Sequence, residues 1–478
     1  MLLTRLFQRY ALSALLALAL ALLTGCTDQM LTETQPINGD TANSSDTKLR
    51  YTHLVSGYDD PADATAPSKR ILQRYEDLET DTHFIVGLED TVLEPQRILQ
   101  RYEDEGMRVT RSFDAAYSGF ALDIGEVELA DFLEIVRADD AVRWVEPDPA
   151  IQRDASSTTI DYADGQYLPW GVDMVEADKI MEELAGVLPP LNEAHVFVLD
   201  SGVDSPDLNV CDTRSFVSSE SDEDGSESES DLIGHGTHLA GVIGAKNNEE
   251  GVLGIAPNVC LHDYRVVDEQ GVAQLSSVVE AVDHITQLKQ QNPDWPMVVN
   301  ISLGADVGST QYNALDEAIQ TSIDAGVVYV LAAGNDGIDA STVTPARVEG
   351  AITVGAFDDK KKRSSYSNYG TLVDLHAPGH AIVSLPSVTR GGEHLAIMDG
   401  TSPAAAHVSG AAALYLATVN PSASTEEIAT ILRDMGKDLK GSVPDGTTRD
   451  RLHLNDLIGT LENLLDNTLS VSSGTISI

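Results

Sequence analysis

The run His195-Val196-Phe197-Val198-Leu199-Asp200, followed by Ser201-Gly202, decides the fold class of this chain. A short apolar run bounded by a polar residue and a glycine turn is typical of a strand buried on both faces. Strands of that kind occur mainly in parallel sheets, because the crossover helices cover both faces. The stretch therefore predicts a strand of a parallel sheet, with Asp200 at its carboxyl end.

Similar runs recur along the chain after this one. They are CLHDYRVV (260–267), MVVNISLG (297–304), VVYVLAAG (327–334) and AITVGAF (351–357). Amphipathic stretches such as residues 275–290 separate them, which predicts an α/β fold with a mostly parallel central sheet covered by helices. Ligands of such sheets bind at the carboxyl ends of the strands, where Asp200, Ser302 and Asn335 stand.

The composition excludes one class of partner. The chain has 478 residues, of which 30 are basic and 76 acidic, and its formal net charge is −46. A negative field of this size repels polyanions, so we expect no nucleic-acid partner and no binding to anionic membranes by the folded part. The length allows more than one folded unit in addition to processed segments.

Residues 1–26 predict export. Arg5 and Arg9 precede the apolar run 11–23, and together they are typical of a secretory signal peptide. The ending Leu23-Thr24-Gly25-Cys26 resembles a bacterial lipobox, in which Cys26 would be acylated; ordinary signal cleavage nearby is the alternative. We expect an extracellular or cell-surface protein that meets the membrane only through this lipid.

Three further segments differ from the sheet region in composition. Residues 27–80 have no sustained apolar period and predict a flexible tether, and residues 466–478 form a C-terminal tail. Residues 81–155 alternate strand-like and helix-like runs, which predicts a small α+β unit before the sheet. The acidic stretch 218–231 predicts a solvated surface loop, with weak cation binding as the alternative.

Four residues together offer the chemistry of a serine hydrolase. Such hydrolysis needs a nucleophile, an imidazole that takes its proton, a carboxylate that orients the imidazole, and donors to the oxyanion. Ser402 begins a helix of small residues, His235 lies in GHGTHLAG, and Asp200 ends its strand. Asn335 closes another strand and can donate to the oxyanion. We predict these four as the catalytic residues.

From about residue 166 to residue 455 the chain resembles the subtilase family. The motifs that carry the resemblance are DSG (200–202), GHGTH (234–238), NISLG (300–304), AAGN (332–335) and GTS (400–402), in the order Asp, His, Ser. The resemblance implies a three-layer subtilisin-like peptidase domain over residues 165–465, with serine endopeptidase activity. Residues 81–155, which contain GFALDIG and VRWVEPD, resemble the inhibitory propeptide of the family, which implies a self-processing zymogen.

The resemblance also implies a substrate channel. The residues implied are Ser302, Leu303, Gly304 and Val272 for pairing with the substrate backbone, Val267, Leu275 and Leu303 for an apolar subsite remote from the cut, and Ala332, Ala333, Gly334 and Gly304 for the walls of the primary pocket. Backbone pairing favours broad specificity. Small walls favour large apolar side chains before the scissile bond. We expect protein or peptide substrates, the propeptide as an intramolecular inhibitor, and a monomer.

A structural Ca²⁺ site is implied by the same resemblance. The ligands would be the side chains of Gln166, Asp207 and Asn248 and the carbonyl oxygens of Lys246, Glu250 and Val252. This is a shell of hard oxygen atoms suited to Ca²⁺, and a metal-free turn is the alternative. Asp358 falls near a second, weaker cation site of the family.

The mature domain contains two cysteines, Cys211 and Cys260, because Cys26 lies in the signal region. In the family's sheet these two residues begin neighbouring strands, and export permits oxidation, so the resemblance implies a disulfide between them. Two free thiols are the alternative.

The serine motif departs from the usual family pattern. Pro403 replaces the common methionine, and Ala406 stands where proline is usual. Proline is tolerated in the first turn of a helix, where its missing N–H would have no partner. A catalytically inactive binding protein of subtilase fold is therefore the main rival interpretation. A serine esterase of another fold is a second rival, but it would be expected to carry a GxSxG elbow and the order Ser, Asp, His.

Overall fold

The computed structural model describes residues 82–152, 157–160, 165–183, 188–217, 231–308, 314–390 and 394–461, all within the compact unit Tyr51–Ile478. The predicted signal peptide, the lipobox cysteine Cys26, the tether 27–80 and the tail 466–478 lie outside the described residues. Within the described part of the chain, no helix is both long enough and apolar enough to cross a bilayer.

The strands are β1 (His83–Leu88), β2 (Arg108–Phe113), β3 (Gly119–Asp123), β4 (Val142–Pro147), β5 (Ala150–Gln152), β6 (Ser157–Ile160), β7 (His195–Asp200), β8 (Val210–Ser215), β9 (Cys260–Arg265), β10 (Val272–Gln274), β11 (Met297–Ile301), β12 (Ala305–Asp306), β13 (Val328–Ala332), β14 (Val343–Thr344), β15 (Ile352–Phe357), β16 (Leu375–Pro378), β17 (Ile382–Ser384), β18 (Leu395–Met398), β19 (Lys437–Asp438) and β20 (Asp450–Arg451). The α-helices are α1 (Pro95–Asp104), α2 (Leu129–Ala138), α3 (Trp170–Val175), α4 (Ala177–Glu183), α5 (His235–Gly244), α6 (Leu275–Gln291), α7 (Ala314–Asp324), α8 (Thr401–Thr418) and α9 (Thr425–Asp434). Short 3₁₀ helices cover Leu191–Glu193, Ala340–Thr342 and Val388–Arg390.

The central sheet has the strand order β19-β20-β16-β15-β13-β11-β7-β9-β8. All of its neighbouring pairs are parallel except β19 with β20. Strand β7 comes first in the sequence among the strands of this sheet. Strands β9 and β8 lie on one side of it, and the strands from β11 onward lie on the other side. The α/β prediction is therefore confirmed, and the five apolar runs of the sequence form β7, β9, β11, β13 and β15.

Helices cover both faces of this sheet because side chains alternate along each buried strand. Val196 and Val198 face a core that also contains apolar residues of α5 and α8. Phe197 and Leu199 face a second core, which α6 and α7 complete. Each fully buried side chain of this size contributes roughly 1.5–3 kcal/mol. The two cores explain the three-layer arrangement.

The segment 82–152 forms the expected α+β unit. Its four-stranded antiparallel sheet has the order β2-β3-β1-β4, and Phe84, Phe120 and Phe132 lie in its own core. The second RILQRYED copy, residues 97–104, lies in α1; the first copy falls outside the described residues. The opposite face of the sheet, which includes Ile85 and Trp144, joins the core around α6 and α7.

Candidate active site

Asp200 and His235 form a buried hydrogen-bonded pair. His235 Nδ1 donates to Asp200 Oδ1 at 2.7 Å and lies 2.8 Å from Oδ2. Both side chains are almost fully buried. Because a carboxylate only accepts, the pair holds the imidazole proton on Nδ1 and leaves a lone pair on Nε2. Nε2 has no hydrogen-bond partner among the described residues, so it is the atom that can accept a proton.

Small residues bring the two side chains together. Asp200 is the last residue of β7, and His235 is the first residue of α5. A Cβ on Gly236 would collide with the carbonyl oxygen of Gly202, so only glycine allows the start of α5 to lie against the turn after β7. The glycines of the DSG and GHGTH motifs thereby position the catalytic pair.

Asp231 joins the two motifs through its carboxylate. It accepts hydrogen bonds from Ser201 Oγ at 2.8 Å, from the Gly234 amide at 2.7 Å, and from the Thr237 amide at 2.9 Å. Asp231 is fully buried, whereas we predicted a solvated loop over 218–231; that prediction is wrong for this residue. The rest of the acidic stretch, 218–230, lies outside the described residues.

Ser402 lies in the first turn of α8, against the residue that follows β11. Leu199 of β7 pairs with Ile301 of β11, so the next residues, Asp200 and Ser302, lie at the same edge of the sheet. Ser402 Oγ donates to the Ser302 carbonyl oxygen at 3.4 Å. The serine is thus beside the Asp200–His235 pair, but its hydroxyl is turned toward β11.

Pro403 does not interrupt α8, which runs from Thr401 to Thr418. Gly400 precedes the helix with φ +149°, a backbone conformation that residues other than glycine rarely adopt. The Pro403 carbonyl oxygen accepts a hydrogen bond from His407 Nδ1 at 2.7 Å. The substitution that separates this motif from the usual pattern is therefore compatible with the helix that presents Ser402.

Asn335 is oriented by Thr401. Its Oδ1 accepts hydrogen bonds from the Thr401 amide at 2.8 Å and from Thr401 Oγ1 at 3.1 Å. With Oδ1 held in this way, the Nδ2 amide group is the end of the side chain that can donate to an oxyanion. The Gly334 amide donates to Thr401 Oγ1 at 3.1 Å, so Thr401 ties the Asn335 turn to the beginning of α8.

Residues of the predicted substrate channel lie against the propeptide unit. Strand β5 pairs antiparallel with β10, and Gln152, Ile151 and Ala150 oppose Val272, Ala273 and Gln274. Ile151 is buried in the same core as Val267, Leu275 and Leu303. A segment of this chain therefore pairs with the edge strand at Val272, and Ile151 shares a core with the residues predicted for the apolar subsite.

The other residues predicted to pair with the substrate backbone directly follow β11. Strand β11 ends at Ile301, so Ser302, Leu303 and Gly304 belong to no strand. The pairing of this segment with a substrate backbone, which the family resemblance implied, stays a prediction. Ser302 Oγ accepts from Asn300 Nδ2 at 3.0 Å.

The predicted walls of the primary pocket lie near the end of β13. Ala332 and Ala333 are buried, while Gly334 and Gly304 are half-buried. Asn368 holds this turn, because its Nδ2 donates to the Ala333 carbonyl oxygen at 2.8 Å and its Oδ1 accepts from the Asp336 amide at 3.1 Å. The two predicted groups of channel residues thus lie at the carboxyl ends of β11 and β13.

Buried carboxylates accept backbone hydrogen bonds between the α+β unit, residues 82–152, and the sheet domain. Asp148 Oδ1 accepts from the Ser276 amide at 2.8 Å, and Glu146 Oε1 accepts from the Ala314 amide at 2.7 Å. Asp283 of α6 accepts from the amides of Ala115 at 2.6 Å and Ala116 at 2.7 Å. Burial raises the pKa of Asp148 and of Asp283.

The predicted calcium ligands come together in one cluster. Gln166 Nε2 lies 2.6 Å from the Lys246 carbonyl oxygen and 3.1 Å from that of Val252. Asn248 Nδ2 donates to Asp207 Oδ1 at 2.7 Å, while Asp207 Oδ2 is buried with no hydrogen-bond partner among the described residues. The Glu250 amide donates to Asn248 Oδ1 at 2.9 Å. A buried carboxylate oxygen beside two carbonyl oxygens fits a divalent cation.

Asp358 serves a turn in the structure. Its Oδ1 accepts from the amides of Lys360 at 3.0 Å and Lys362 at 2.9 Å. Those two lysines and Lys361 add positive charge around the carboxylate, which disfavours the weak cation site that we expected there.

A disulfide joins Cys211 of β8 to Cys260 of β9, with the Cα atoms 5.6 Å apart. It lies near the beginning of the central strands, whereas Asp200 ends β7. The disulfide is therefore remote from the catalytic residues.

Three supporting residues were missed by the sequence reasoning. Asp231 and Thr401 each connect two of the motifs through hydrogen bonds, and Asn368 holds the turn that contains AAGN. Thr401 lies within the GTS motif and Asp231 lies shortly before GHGTH, so their positions in the sequence could have indicated a role at the site. Asn368 stands in Ser367-Asn368-Tyr369, where nothing in the local pattern distinguishes it.

Comparisons with known proteins agree with this architecture. The profile of the subtilase family matches residues 192–456. An extracellular serine proteinase from Thermus sp. is 34% identical over 69% of this chain and 73% of its own length, and subtilisin NAT from Bacillus subtilis subsp. natto is 37% identical over 58% and 68%. A crystal structure of a cold adapted subtilisin-like serine proteinase aligns at 36% identity with a TM-score of 0.47, covering 55% of this chain and 89% of that one. The chain belongs to the subtilase family of serine endopeptidases.

Proposed function

We propose that this chain is an exported, self-processing serine endopeptidase in which Asp200, His235 and Ser402 are the catalytic triad and Asn335 stabilises the oxyanion. The observation that carries the proposal is the buried Asp200–His235 pair, whose Nε2 has no hydrogen-bond partner in the described part of the chain, at the sheet edge near the first turn of α8, which contains Ser402. The Asp, His, Ser order, the family membership and the proximity of all four residues support it.

In the proposed mechanism, His235 Nε2 removes the proton of Ser402 as the hydroxyl attacks the peptide carbonyl carbon. Ser402 Oγ first turns away from the Ser302 carbonyl oxygen. Asn335 Nδ2 and the Ser402 amide, at the positive end of α8, stabilise the oxyanion. Asp200 stabilises the imidazolium, which then protonates the leaving amine. Water hydrolyses the resulting acyl-enzyme by the reverse proton transfers.

The proposal is tested by labelling the matured protein with a fluorophosphonate and locating the adduct by mass spectrometry. We expect one adduct, on Ser402, together with hydrolysis of casein. A folded and processed protein that neither reacts nor hydrolyses casein would support the rival interpretation, an inactive binding protein in which Pro403 has altered the serine.

Asn335 provides the first prediction. Replacing it with leucine removes the Nδ2 donor while keeping a side chain of similar size, and we expect kcat to fall about 10²–10³-fold, the loss known for the equivalent donor of subtilisin, a relative of this chain. KM should change little. The measurement is steady-state hydrolysis of a peptide anilide. The control is Asn292→Leu, at the end of α6. Asn258 is unsuitable as a control because its φ of +66° would strain a leucine. Equal losses in both variants would argue against the oxyanion role.

We propose that residues 81–155 inhibit the peptidase domain until they are cleaved, with maturation between Ser156 and Gln166. The pairing of β5 with β10 and the burial of Ile151 in the apolar subsite support this, because a bound product would occupy the same places. If Cys26 is acylated, the lipid would stay with the propeptide after cleavage. Export is supported by residues 1–26 and by the relative described as extracellular.

Asp148 provides a prediction for this inhibition. The Asp148→Ala change removes the acceptor for the first amides of α6, a cap worth about 1 kcal/mol, so the inhibition constant of the added propeptide should rise ~5-fold. The measurement is inhibition of the matured enzyme by the wild-type and variant propeptides. Asp131→Ala, an exposed carboxylate on α2, is the matched control. An unchanged inhibition constant for Asp148→Ala would show that this contact does not hold the propeptide.

We propose a structural Ca²⁺ bound by the side chains of Gln166, Asp207 and Asn248 and by the carbonyl oxygens of Lys246, Glu250 and Val252. When bound, the ion supplies no chemistry to the reaction and holds the segment around Gln166 against the loop that follows α5. Gln166 would present its Oε1 to the ion, with the side-chain amide turned over from its orientation in the structure, where Nε2 lies 2.6 Å from the Lys246 carbonyl oxygen. The buried Asp207 Oδ2, which has no hydrogen-bond partner within the described ranges, supports the assignment.

Removal of calcium should therefore destabilise the protein. A ligand present at 100 times its Kd stabilises the folded state by about 2.7 kcal/mol, so a chelator should lower Tm by several degrees. The measurement is thermal unfolding of the Ser402→Ala protein, which cannot digest itself, with calcium and with chelator. Asp207→Asn should have a low Tm that calcium no longer raises, and Glu269→Gln, an exposed carboxylate elsewhere, should respond as the parent does. A Tm of the parent that is insensitive to calcium would contradict the site.

A further inference from the structure

A cluster of histidine and cysteine side chains lies at the end of the central sheet opposite to the active site. One ligand atom each of His195, Cys260 and His262 lie within 4.8 Å of one another. The disulfide places the sulfur of Cys211 directly beside that of Cys260. Three side chains that commonly bind metals therefore lie close together, a fourth is bonded to one of them, and none of the four takes part in the proposed reaction.

The strand register explains why these residues meet. Cys260 and His262 are two residues apart on β9, so they project from the same face of the sheet. His195 begins β7 and pairs with Cys260 across the parallel ladder. Cys211 lies on β8, on the other side of β9, at a register irregularity between Val210 and Asp212. Three neighbouring strands thus each contribute at least one ligand.

The distances suit a tetrahedral zinc ion. Cys260 Sγ and His262 Nε2 are 3.6 Å apart, and His195 Nδ1 and His262 Nε2 are 2.9 Å apart. Zn–S and Zn–N bonds of about 2.3 and 2.0–2.1 Å in a tetrahedron imply ligand separations of roughly 3.5 Å between sulfur and nitrogen and 3.3 Å between two nitrogens. The two imidazoles need to move by only a few tenths of an ångström, whereas the two sulfurs, bonded in the disulfide, must separate to roughly 3.8 Å to bind one zinc ion.

The surroundings hold the imidazoles in place. The His262 ring stacks on Phe197 at 4.1 Å between centroids, and the His195 ring stacks on Trp295 at 4.2 Å. Cys260 is buried, whereas Cys211 is exposed, so a reductant in solution can reach the disulfide from the Cys211 side. The rings are therefore preorganised, and the sulfurs are the part of the cluster that can change state.

We propose that His195, His262, Cys211 and Cys260 form a Cys₂His₂ zinc site when the Cys211–Cys260 disulfide is reduced. The disulfide-bonded state and the zinc-bound state exclude each other, because the sulfurs of a disulfide are not thiolates and cannot bind zinc as thiolate ligands. Reduction by a phosphine breaks the S–S bond: the two sulfurs gain two electrons and two protons, and the phosphine takes the oxygen of water to become the phosphine oxide. Zinc binding then releases the two thiol protons.

The site would act before oxidation. Thiols are kept reduced in the cytoplasm and are oxidised after export. Zinc would join β7, β8 and β9 in the reduced chain at the place where the disulfide joins β8 and β9 in the oxidised chain. Its location, five residues before Asp200 on β7 and about 16 Å away along the strand, separates it from the proposed catalytic function.

The test is a Co²⁺ titration of the full chain carrying Ser402→Ala, which prevents self-digestion, and Cys26→Ser, which leaves two thiols. We expect the phosphine-reduced protein to bind one equivalent of Co²⁺ with the intense visible bands of tetrahedral cobalt and a sulfur-to-cobalt charge-transfer band. One equivalent of Zn²⁺ should abolish both. The oxidised protein should show neither band.

Variants distinguish this site from incidental binding. Cys260→Ser, which leaves one thiolate, should bind Co²⁺ more weakly and with a less intense charge-transfer band. His195→Ala and His262→Ala should weaken Co²⁺ binding at least ~10-fold, since even the loss of a residue that only supports a metal ligand costs that much affinity. His453→Ala, a half-buried histidine that contacts Glu176, is the control and should bind as the parent does. His195 is half-buried, so its variant keeps the test informative if His262→Ala does not fold. The proposal is overturned if the reduced parent shows no tetrahedral bands, or if the histidine variants bind Co²⁺ as tightly as the parent.

Discussion

The Ser402→Ala variant should hydrolyse casein and small peptides about 10⁶-fold more slowly than the parent, the loss found when the equivalent serine is removed from subtilisin, a relative of this chain. The alanine cannot form the acyl-enzyme, and the remaining donors alone give little acceleration. The precursor should also stay uncleaved, because we propose that it processes itself. The measurements are steady-state kinetics and gel analysis of the precursor over time.

Ser409→Ala is the matched control for this prediction. Ser409 lies in the same helix, is fully buried, and donates to Asn300 Oδ1 at 2.9 Å, so its loss affects stability without removing a nucleophile. We expect that variant to be processed and to keep most of its activity. If Ser402→Ala were processed and active at the parental rate, Ser402 would not be the nucleophile.

Asp200→Asn should lower kcat about 10⁴-fold while the fold is preserved, as found for the equivalent change in a serine protease of another fold. The Asp200 carboxylate accepts from His235 Nδ1 and so keeps Nε2 ready to accept the serine proton. An asparagine can instead donate to Nδ1, which places the imidazole proton on Nε2, the wrong nitrogen. KM should change much less than kcat. The measurements are peptide hydrolysis and circular dichroism of the two proteins.

Asp263→Asn tests whether this loss is specific to Asp200. Asp263 is buried on β9, next to β7, and burial raises its pKa well above the ordinary value. A raised pKa means that the carboxyl group is already protonated over a wider pH range, so replacement by the uncharged amide changes little. We expect Asp263→Asn to stay within a few-fold of the parent. A similar loss in both variants would indicate general damage to the sheet edge, not the loss of a triad member.

The rival interpretation of an inactive binding protein rested on Pro403, and the structure weakens its physical basis. Helix α8 begins at Thr401 and continues past Pro403 without a break. The hydroxyl of Ser402 nevertheless contacts the Ser302 carbonyl oxygen and not His235. The kinetics of Ser402→Ala therefore decide between the two interpretations more directly than the geometry of the helix.

Much of this protein could be predicted from local sequence pattern. The apolar runs became β7, β9, β11, β13 and β15 because a strand buried on both faces needs apolar residues at every position. The catalytic candidates follow from the same rule, since a parallel sheet brings the carboxyl ends of its strands to one edge. The order of Asp200, His235 and Ser402 then indicated the family, which the comparisons confirmed.

Contacts between distant segments were decided only by the tertiary structure. Composition placed Asp231 in a solvated acidic loop, yet five groups of the folded chain, among them Ser201 Oγ and the Thr237 amide, compensate the burial of its charge. Strand pairing likewise decided that Ile151 lies opposite Ala273, in one core with the residues predicted for the apolar subsite, and that His195 meets Cys260. A local sequence pattern predicts which side of a helix or strand is buried. Hydrogen bonds and strand register between elements depend instead on which distant segments the fold brings together.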